Sequence, residues 1–282
     1  MAIYKSRMLI FLFLMLSYNL KQFSLYAQTE NLIIPDSTKY NLGIALGVNN
    51  LHLKDEYLSP AVFRGNMFAT TVNLGIQKNK YLHEIACYFS AGNPELENHS
   101  PDVSQKIVQL SYSYLYNVCN NNFMGNPYSL TLGAGLSTFV ANSYVIMNSS
   151  NTNSELKDQA WYWRHAVNIL AGGKIQLSES NSMSARLTIP VFKMVSRPEN
   201  GHWLNEKNKK VIDDSFFYAA QGGRGEFIWD SFNISCNISF VRKIDEKIAF
   251  RGTYLVGFIS SNRPLPLKML SNNFMAGFDI TL

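Results

Sequence analysis

Phe274-Met-Ala-Gly-Phe-Asp-Ile-Thr-Leu282, the ending of this 282-residue chain, decides the fold. Apolar side chains stand at every second position: Phe274, Ala276, Phe278, Ile280 and Leu282. Of the four residues between them, Gly277, Asp279 and Thr281 are small or polar. Successive side chains of an extended strand point to opposite faces. A period of two with one apolar face therefore describes a strand that meets an apolar medium on one side only.

Working outward, the same period predicts strands near residues 40–49, 68–77, 81–91, 108–118, 128–141, 161–177, 183–195, 227–243 and 247–259, about ten with the C-terminal one. In the first, Tyr40, Leu42, Ile44, Leu46 and Val48 oppose Asn41, Gly43, Ala45, Gly47 and Asn49. In the fourth, Val108, Leu110, Tyr112, Tyr114, Tyr116 and Val118 oppose Gln109, Ser111, Ser113 and Asn117. Pro190 removes a ladder donor from the seventh, which predicts a bulge or the end of pairing there. The connections alternate in length. Residues 50–67, 92–104, 143–160, 196–226 and 260–270 read as long polar loops, and 78–80, 119–127, 178–182 and 244–246 as short turns. Long and short in turn is the rhythm of an up-and-down barrel with extended loops at one end.

The polar face is Ser, Thr, Asn, Gly and Gln with few charges, and the apolar face is nearly charge-free. A soluble barrel would carry Lys and Glu on its surface and pack its apolar face inside. Small neutral polar groups suit a narrow lumen, so the apolar face is assigned to lipid. Open edges in hydrocarbon would leave backbone groups unpaired at several kcal/mol each, so the sheet must close. Tyr81, Tyr128, Trp161, Trp163, Phe227 and Phe258 fall near strand ends, where an interfacial aromatic girdle belongs.

The beginning agrees. Lys5 and Arg7 precede the apolar run Met8–Leu16, about nine residues long. That is a signal-peptide pattern, too short for a spanning helix of roughly 20 residues. Cleavage is expected after Ala27, which divides the chain into a signal peptide (1–27), an N-terminal periplasmic arm (28–39) and a barrel (40–282). The formal charge of +5 falls to +2 when Lys5, Arg7 and Lys21 leave, so nucleic acid is not implied. Cys87, Cys119 and Cys236 form neither a disulfide framework nor a metal-ligand spacing.

On these residues the chain resembles the bacterial outer-membrane β-barrel proteins over roughly residues 40–282. The ending, with Gly277, Phe278, Ile280 and Leu282, resembles the C-terminal signal that the barrel-assembly machinery recognises. The resemblance implies an all-β fold, a transmembrane up-and-down antiparallel β-barrel of about ten strands, with eight and twelve as the neighbouring counts. It also implies residence in the outer membrane, lipid as the surrounding solvent, and the assembly machinery as a partner during insertion.

Alternation predicts that Glu84, Arg164, Lys174, Arg186 and Arg251 point into the lumen. One carboxylate against four cations has two readings: a salt-bridged network that props or plugs a narrow barrel, or a positively lined water path that favours anions. No cofactor, metal or catalytic motif is found. The expected function is a small porin-like or structural barrel, non-enzymatic, with polar extracellular loops. The alternatives are a subunit of a larger outer-membrane complex bound to a protein partner, and a rim-active hydrolase using His52 with Asp55 or His202 with Asp213 and Asp214. His83 and Glu84, adjacent in a strand, point to opposite faces and form no catalytic pair.

Overall fold

The computed structural model describes residues 38–56, 58, 62–96, 102–148, 155–197, 223–262 and 265–282. The expected signal peptide and nearly all of the expected arm lie outside them. Every regular element among the described residues is a strand. Ten long ones form the wall: β1 Lys39–Asp55, β2 Val62–Lys78, β3 Tyr81–Gly92, β4 Asp102–Phe123, β5 Asn126–Asn148, β6 Glu155–Gln176, β7 Asn181–Ser196, β8 Phe232–Lys243, β9 Ile248–Ser261 and β10 Leu267–Thr281. Each pairs antiparallel with its neighbours in sequence, and β1 pairs with both β2 and β10, which closes the sheet. Two short segments extend it: Glu95–Leu96 on β2 and Arg224–Phe227 on β7.

Tight turns gather at the end that holds Lys39 and Thr281. The β4–β5 turn is two residues long, and Met124 and Gly125 both have positive φ (50° and 79°). That mirror-image turn matches the twist of the flanking strands. The opposite end carries the long connections.

The closing ladder runs from Asn41 opposite Thr281 to Asp55 opposite Leu267. Its backbones approach closely at two glycines. A Cβ on Gly277 would strike the Ile44 carbonyl oxygen and lie 2.5 Å from Ala45 Cα, and one on Gly47 would strike the Phe274 carbonyl oxygen. Side chains at these two positions would force the seam apart.

The outward faces carry the apolar belt. Ile44, Leu46, Val48, Phe68, Leu74, Leu110, Leu136, Ile169, Phe274 and Phe278 are all exposed, as a surface bathed in hydrocarbon must be. At the turn end, outward tyrosines form a cluster, with Tyr81 5.8 Å from Tyr114 and 5.3 Å from Tyr116 between ring centroids.

The strands do not stop where the belt stops. β1 has 17 residues. At ~3.3 Å per residue and a tilt of about 40° it rises roughly 43 Å, well beyond an apolar band of about 25 Å. Above Val48 the alternation continues with its polarity reversed. Asn50, His52 and Lys54 face out, while Leu51 and Leu53 face in and are buried. β2 reverses in the same way, with Arg64 and Asn66 outside and Phe63 and Met67 buried inside. β4 does so with Lys106 outside and Val103 and Ile107 inside, and β10 with Lys268 outside and Leu267 and Met269 inside. The wall thus continues as a collar with the polarity of a water-soluble barrel. The loops expected at 50–67, 143–160 and 260–270 are therefore more than half strand, and strand also reaches into 92–104 at Gly92, Glu95–Leu96 and residues 102–104, because alternation of reversed sign resembles a polar loop with scattered apolar residues.

Two irregularities concern β7 and β8. Pro190 sits at a bulge, as its missing donor predicts: Asn168 pairs with Pro190 and Val167 with Phe192, which leaves Val191 unpaired in that ladder. The strand expected over 227–243 is broken. Phe227 pairs with Phe192, but the next rung is Ser235 with Thr188, so a turn around Ile228–Asp230 projects between them.

Spin labels at Tyr112 and Tyr114 should be accessible to oxygen dissolved in lipid, and a label at Ser113 should not. A label at Val48 should report lipid, and one at His52 should report a water-soluble nickel chelate. A lipid signal at His52 would refute the collar. Gly277→Val should prevent closure, read as loss of the gel-mobility difference between unheated and heated protein.

Candidate functional site in the barrel lumen

Inward side chains fall into three layers. At the turn end, Arg186 on β7 reaches across to Glu84 on β3 with two bonds, Nη1–Oε1 at 2.5 Å and Nη2–Oε2 at 3.3 Å. These strands lie nearly opposite each other around the ring, so the pair is a crosspiece. Beside it, Arg251 on β9 donates to Asp279 on β10 through Nε at 2.8 Å and lies within 2.6 Å through Nη2. Gly43 leaves the room this takes, since a Cβ there would lie 2.6 Å from Asp279 Oδ1. Lys174 faces the lumen from β6 in the same region.

The middle layer is neutral and polar. Tyr88 Oη donates to Asn273 Oδ1 at 2.6 Å, Asn273 Nδ2 donates to Ser271 Oγ at 2.9 Å, and Ser271 Oγ donates to Asn49 Oδ1 at 2.8 Å. Asn49 Nδ2 then donates to Ser90 Oγ at 3.2 Å. The chain of bonds ties β3, β1 and β10 together inside the wall. On the facing wall, Asn168 Nδ2 donates to Ser137 Oγ at 3.0 Å. A cavity of about 90 Å³ lies between the two sides.

The layer at the loop end is apolar. Leu51, Leu53, Phe63, Met67, Val103, Ile107, Phe139, Tyr162, Val195, Ile259, Leu267 and Met269 form one buried cluster inside the collar. Arg197, just past β7, crosses it to Asp55 on β1 at 2.5 Å, with both side chains almost fully buried. Lys193 is fully buried and donates to the Ser231 carbonyl at 2.6 Å.

The five predicted lumen charges thus separate. Glu84 and Arg186 meet; Arg251 meets Asp279; Lys174 lies near them; Arg164 sits higher on β6 against the Phe139 ring, 5.1 Å from its centroid. Asp279, Lys193 and Arg197 join them without being singled out by the strand pattern, and Asp55, expected at the outer rim, faces in. Asp279 shares the parity of Gly277 in the quoted ending, which was the available signal. Lys193 would face outward in an unbroken strand, and the bulge at Pro190 turns it in. His52 faces out, its Nε2 donating to Asn50 Oδ1 at 2.9 Å, whereas Asp55 faces in on its arginine, so these two form no rim dyad. His99, His202, Asp213 and Asp214 lie outside the described residues. Among the described residues, no three His, Cys, Asp or Glu side chains gather as metal ligands. The residues expected to act as an assembly signal occupy the seam: Gly277 faces Ala45, and Phe278, Ile280 and Leu282 face outward and are exposed.

No protein-family model matches the sequence, and no curated protein matches it. Among solved structures, the chain is similar to the outer membrane protease OmpT from Escherichia coli at 8% identity and a TM-score of 0.51, over 88% of this chain and 97% of that one. It is also similar to Neisserial surface protein A (11%, TM-score 0.37, covering 86% and 98%) and to the translocator domain of the autotransporter NalP from Neisseria meningitidis (9%, TM-score 0.38, covering 94% of each). At such identities the likeness to OmpT establishes the fold and not the activity. With a closed ten-strand wall and a continuous apolar belt, the chain folds as a bacterial outer-membrane β-barrel.

Proposed function

We propose that this chain is a closed structural barrel of the outer membrane, whose role lies in the collar and connections it presents outside rather than in passing solutes through its lumen. The observation that supports this is the apolar cluster across the inside of the collar. Water in a pore needs polar partners along its path, and an apolar constriction dewets. Below the cluster, the Glu84–Arg186 crosspiece obstructs the same path. A porin-like role would need both obstructions to yield. By this reading the loop end faces the exterior, the start of β1 and the finish of β10 face the periplasm, and the assembly machinery reads Gly277, Phe278, Ile280 and Leu282 during insertion.

Purified barrel in planar bilayers should be silent, and discrete conductance steps from the unaltered protein would overturn the proposal. The filling should instead register as stability. Phe63→Ala should cost roughly 3–5 kcal/mol, as in a soluble core. Glu84→Gln should cost on the order of 1–2 kcal/mol, the low end for a charged hydrogen bond because about a fifth of the Glu84 side chain is exposed. Urea-induced unfolding from lipid vesicles measures both. The double variant Glu84→Gln/Arg186→Gln should recover part of the second loss, because neither partner is then left buried alone.

A further inference from the structure

The geometry points to a buried binding site for a small oxyanion in the middle of the lumen, anchored by Arg164. The inference is independent of whether the barrel conducts. Pairing is the rule for inward arginines here: Arg186 has Glu84, Arg197 has Asp55 and Arg251 has Asp279. Arg164 departs from it. Only 7% exposed, it has no carboxylate within ion-pair distance among the described residues, and its Nε has no acceptor among them. The nearby Lys193 is fully buried, donates to the Ser231 carbonyl oxygen and stands across the ladder from Glu226, so it is not alone as Arg164 is. The carboxylate of that region, Glu226, is taken by Arg224 at 2.6 Å and by Ser231. What the two cations share is a neutral acceptor, the Asn233 amide oxygen, 3.2 Å from Arg164 Nη1 and from Lys193 Nζ once that amide is turned to accept. For Arg164, whose described neighbours are neutral acceptors and a ring, a buried charge so placed costs several kcal/mol unless something else compensates it.

Room for the compensating group is at hand. Arg164 lines the cavity of about 90 Å³, which is enough for several waters or one small ion. Ser137, Asn168, Thr188, Ser235 and Asn273 also line it, and no carboxylate does, so a cation finds no partner there. Ile107, Phe139, Ile259 and Met269 line the side toward the apolar cluster and keep bulk water out, which strengthens any charge pairing below them.

A second orphan narrows the chemistry. Asn168 Oδ1 is buried with no donor, and Asn168 is 4% exposed. Arg164 Nε thus asks for an acceptor while Asn168 Oδ1 asks for a donor. An oxyanion that keeps an O–H, such as dihydrogen phosphate or hydrogencarbonate, supplies both. Chloride supplies only the first.

The test uses full-length barrel refolded in phosphorus-free detergent with inorganic phosphate present, titrated near pH 6 and followed by phosphorus NMR. Saturable binding is expected, with chloride a poor competitor. Arg164→Gln should weaken it by about tenfold or more, the loss of a charged hydrogen bond. Asn168→Leu, which keeps the guanidinium, should weaken phosphate binding while leaving chloride competition unchanged. Lys243→Gln, an equal change of charge at the exposed turn end, should have no effect. Should Arg164→Gln fail to fold, Ser137→Leu fills the cavity without removing the cation and should abolish binding. No saturable binding to the folded barrel, or unchanged binding in Arg164→Gln or, where that variant does not fold, in Ser137→Leu, overturns the inference.

Discussion

A backbone N–H or C=O in hydrocarbon has no water to turn to, and each one left unpaired costs several kcal/mol. That constraint governs the structure more than any side chain does. It obliges β1 to find β10 across almost the whole length of the chain, and the ladder between them spans the entire belt. Closure then dictates local chemistry. The first and last strands can meet only where their backbones approach freely, and Gly47 and Gly277 are the positions where a side chain would block them. Gly277 therefore has a steric reason to be a glycine. An even strand count follows as well, since both β1 and β10 must start or finish at the end that carries the tight turns.

A ten-strand ring encloses more space than its small inward residues fill, so long side chains must reach across or water must enter. Both solutions are used, at different heights. Where the wall outside is greasy, the inside is polar, and the gap is bridged by charged or hydroxyl-bearing side chains: Arg186 to Glu84, and Tyr88 to Asn273. Where the wall outside is wet, the inside is apolar and packs like an ordinary core. Ion pairs in the first region cost desolvation and return most of it through short bidentate geometry, so they fix positions more than they add stability. The apolar cluster in the second region has water as its alternative, so there the hydrophobic effect operates in full.

Strand identity, closure and the lipid-facing side were legible because alternation is a local signal and every strand in the belt carries it with the same sign. The collar was not legible. Asn50-Leu-His-Leu-Lys-Asp55 alternates as cleanly as the residues before it, but with its sign inverted, and only the surrounding solvent says which sign is strand and which is loop. Parity also fails across an irregularity. Counting by twos places Lys193 outside, and Pro190 warned of a bulge without saying which way the strand would resume. Asp279 was visible and its parity known, yet its partner Arg251 is fixed by the β9–β10 register, which a single strand's pattern does not contain. The isolation of Arg164 is the deepest case. It depends on what every other inward carboxylate is doing, and no reading along the chain supplies that.

The reversal of sign locates the water boundary on the wall itself. In the β1–β2 and β1–β10 registers, Asn50 stands opposite Asn66 on one side and Asn272 on the other, and Val48 stands opposite Phe68 and Phe274. Three outward asparagines thus share one rung, and three outward apolar residues share the rung below. Asn50 Nδ2 donates to Asn66 Oδ1 at 2.9 Å, and Asn272 accepts from Tyr254 Oη at 3.0 Å. Amides that bond along the rung have less need of water, so they can sit where the hydration of the headgroup region is falling away. An interface drawn this sharply across three neighbouring strands comes from register, because a slip of one residue would turn the asparagines into the lumen and the lumen leucines out. The same pairing that satisfies the backbone therefore sets the depth at which the barrel rests.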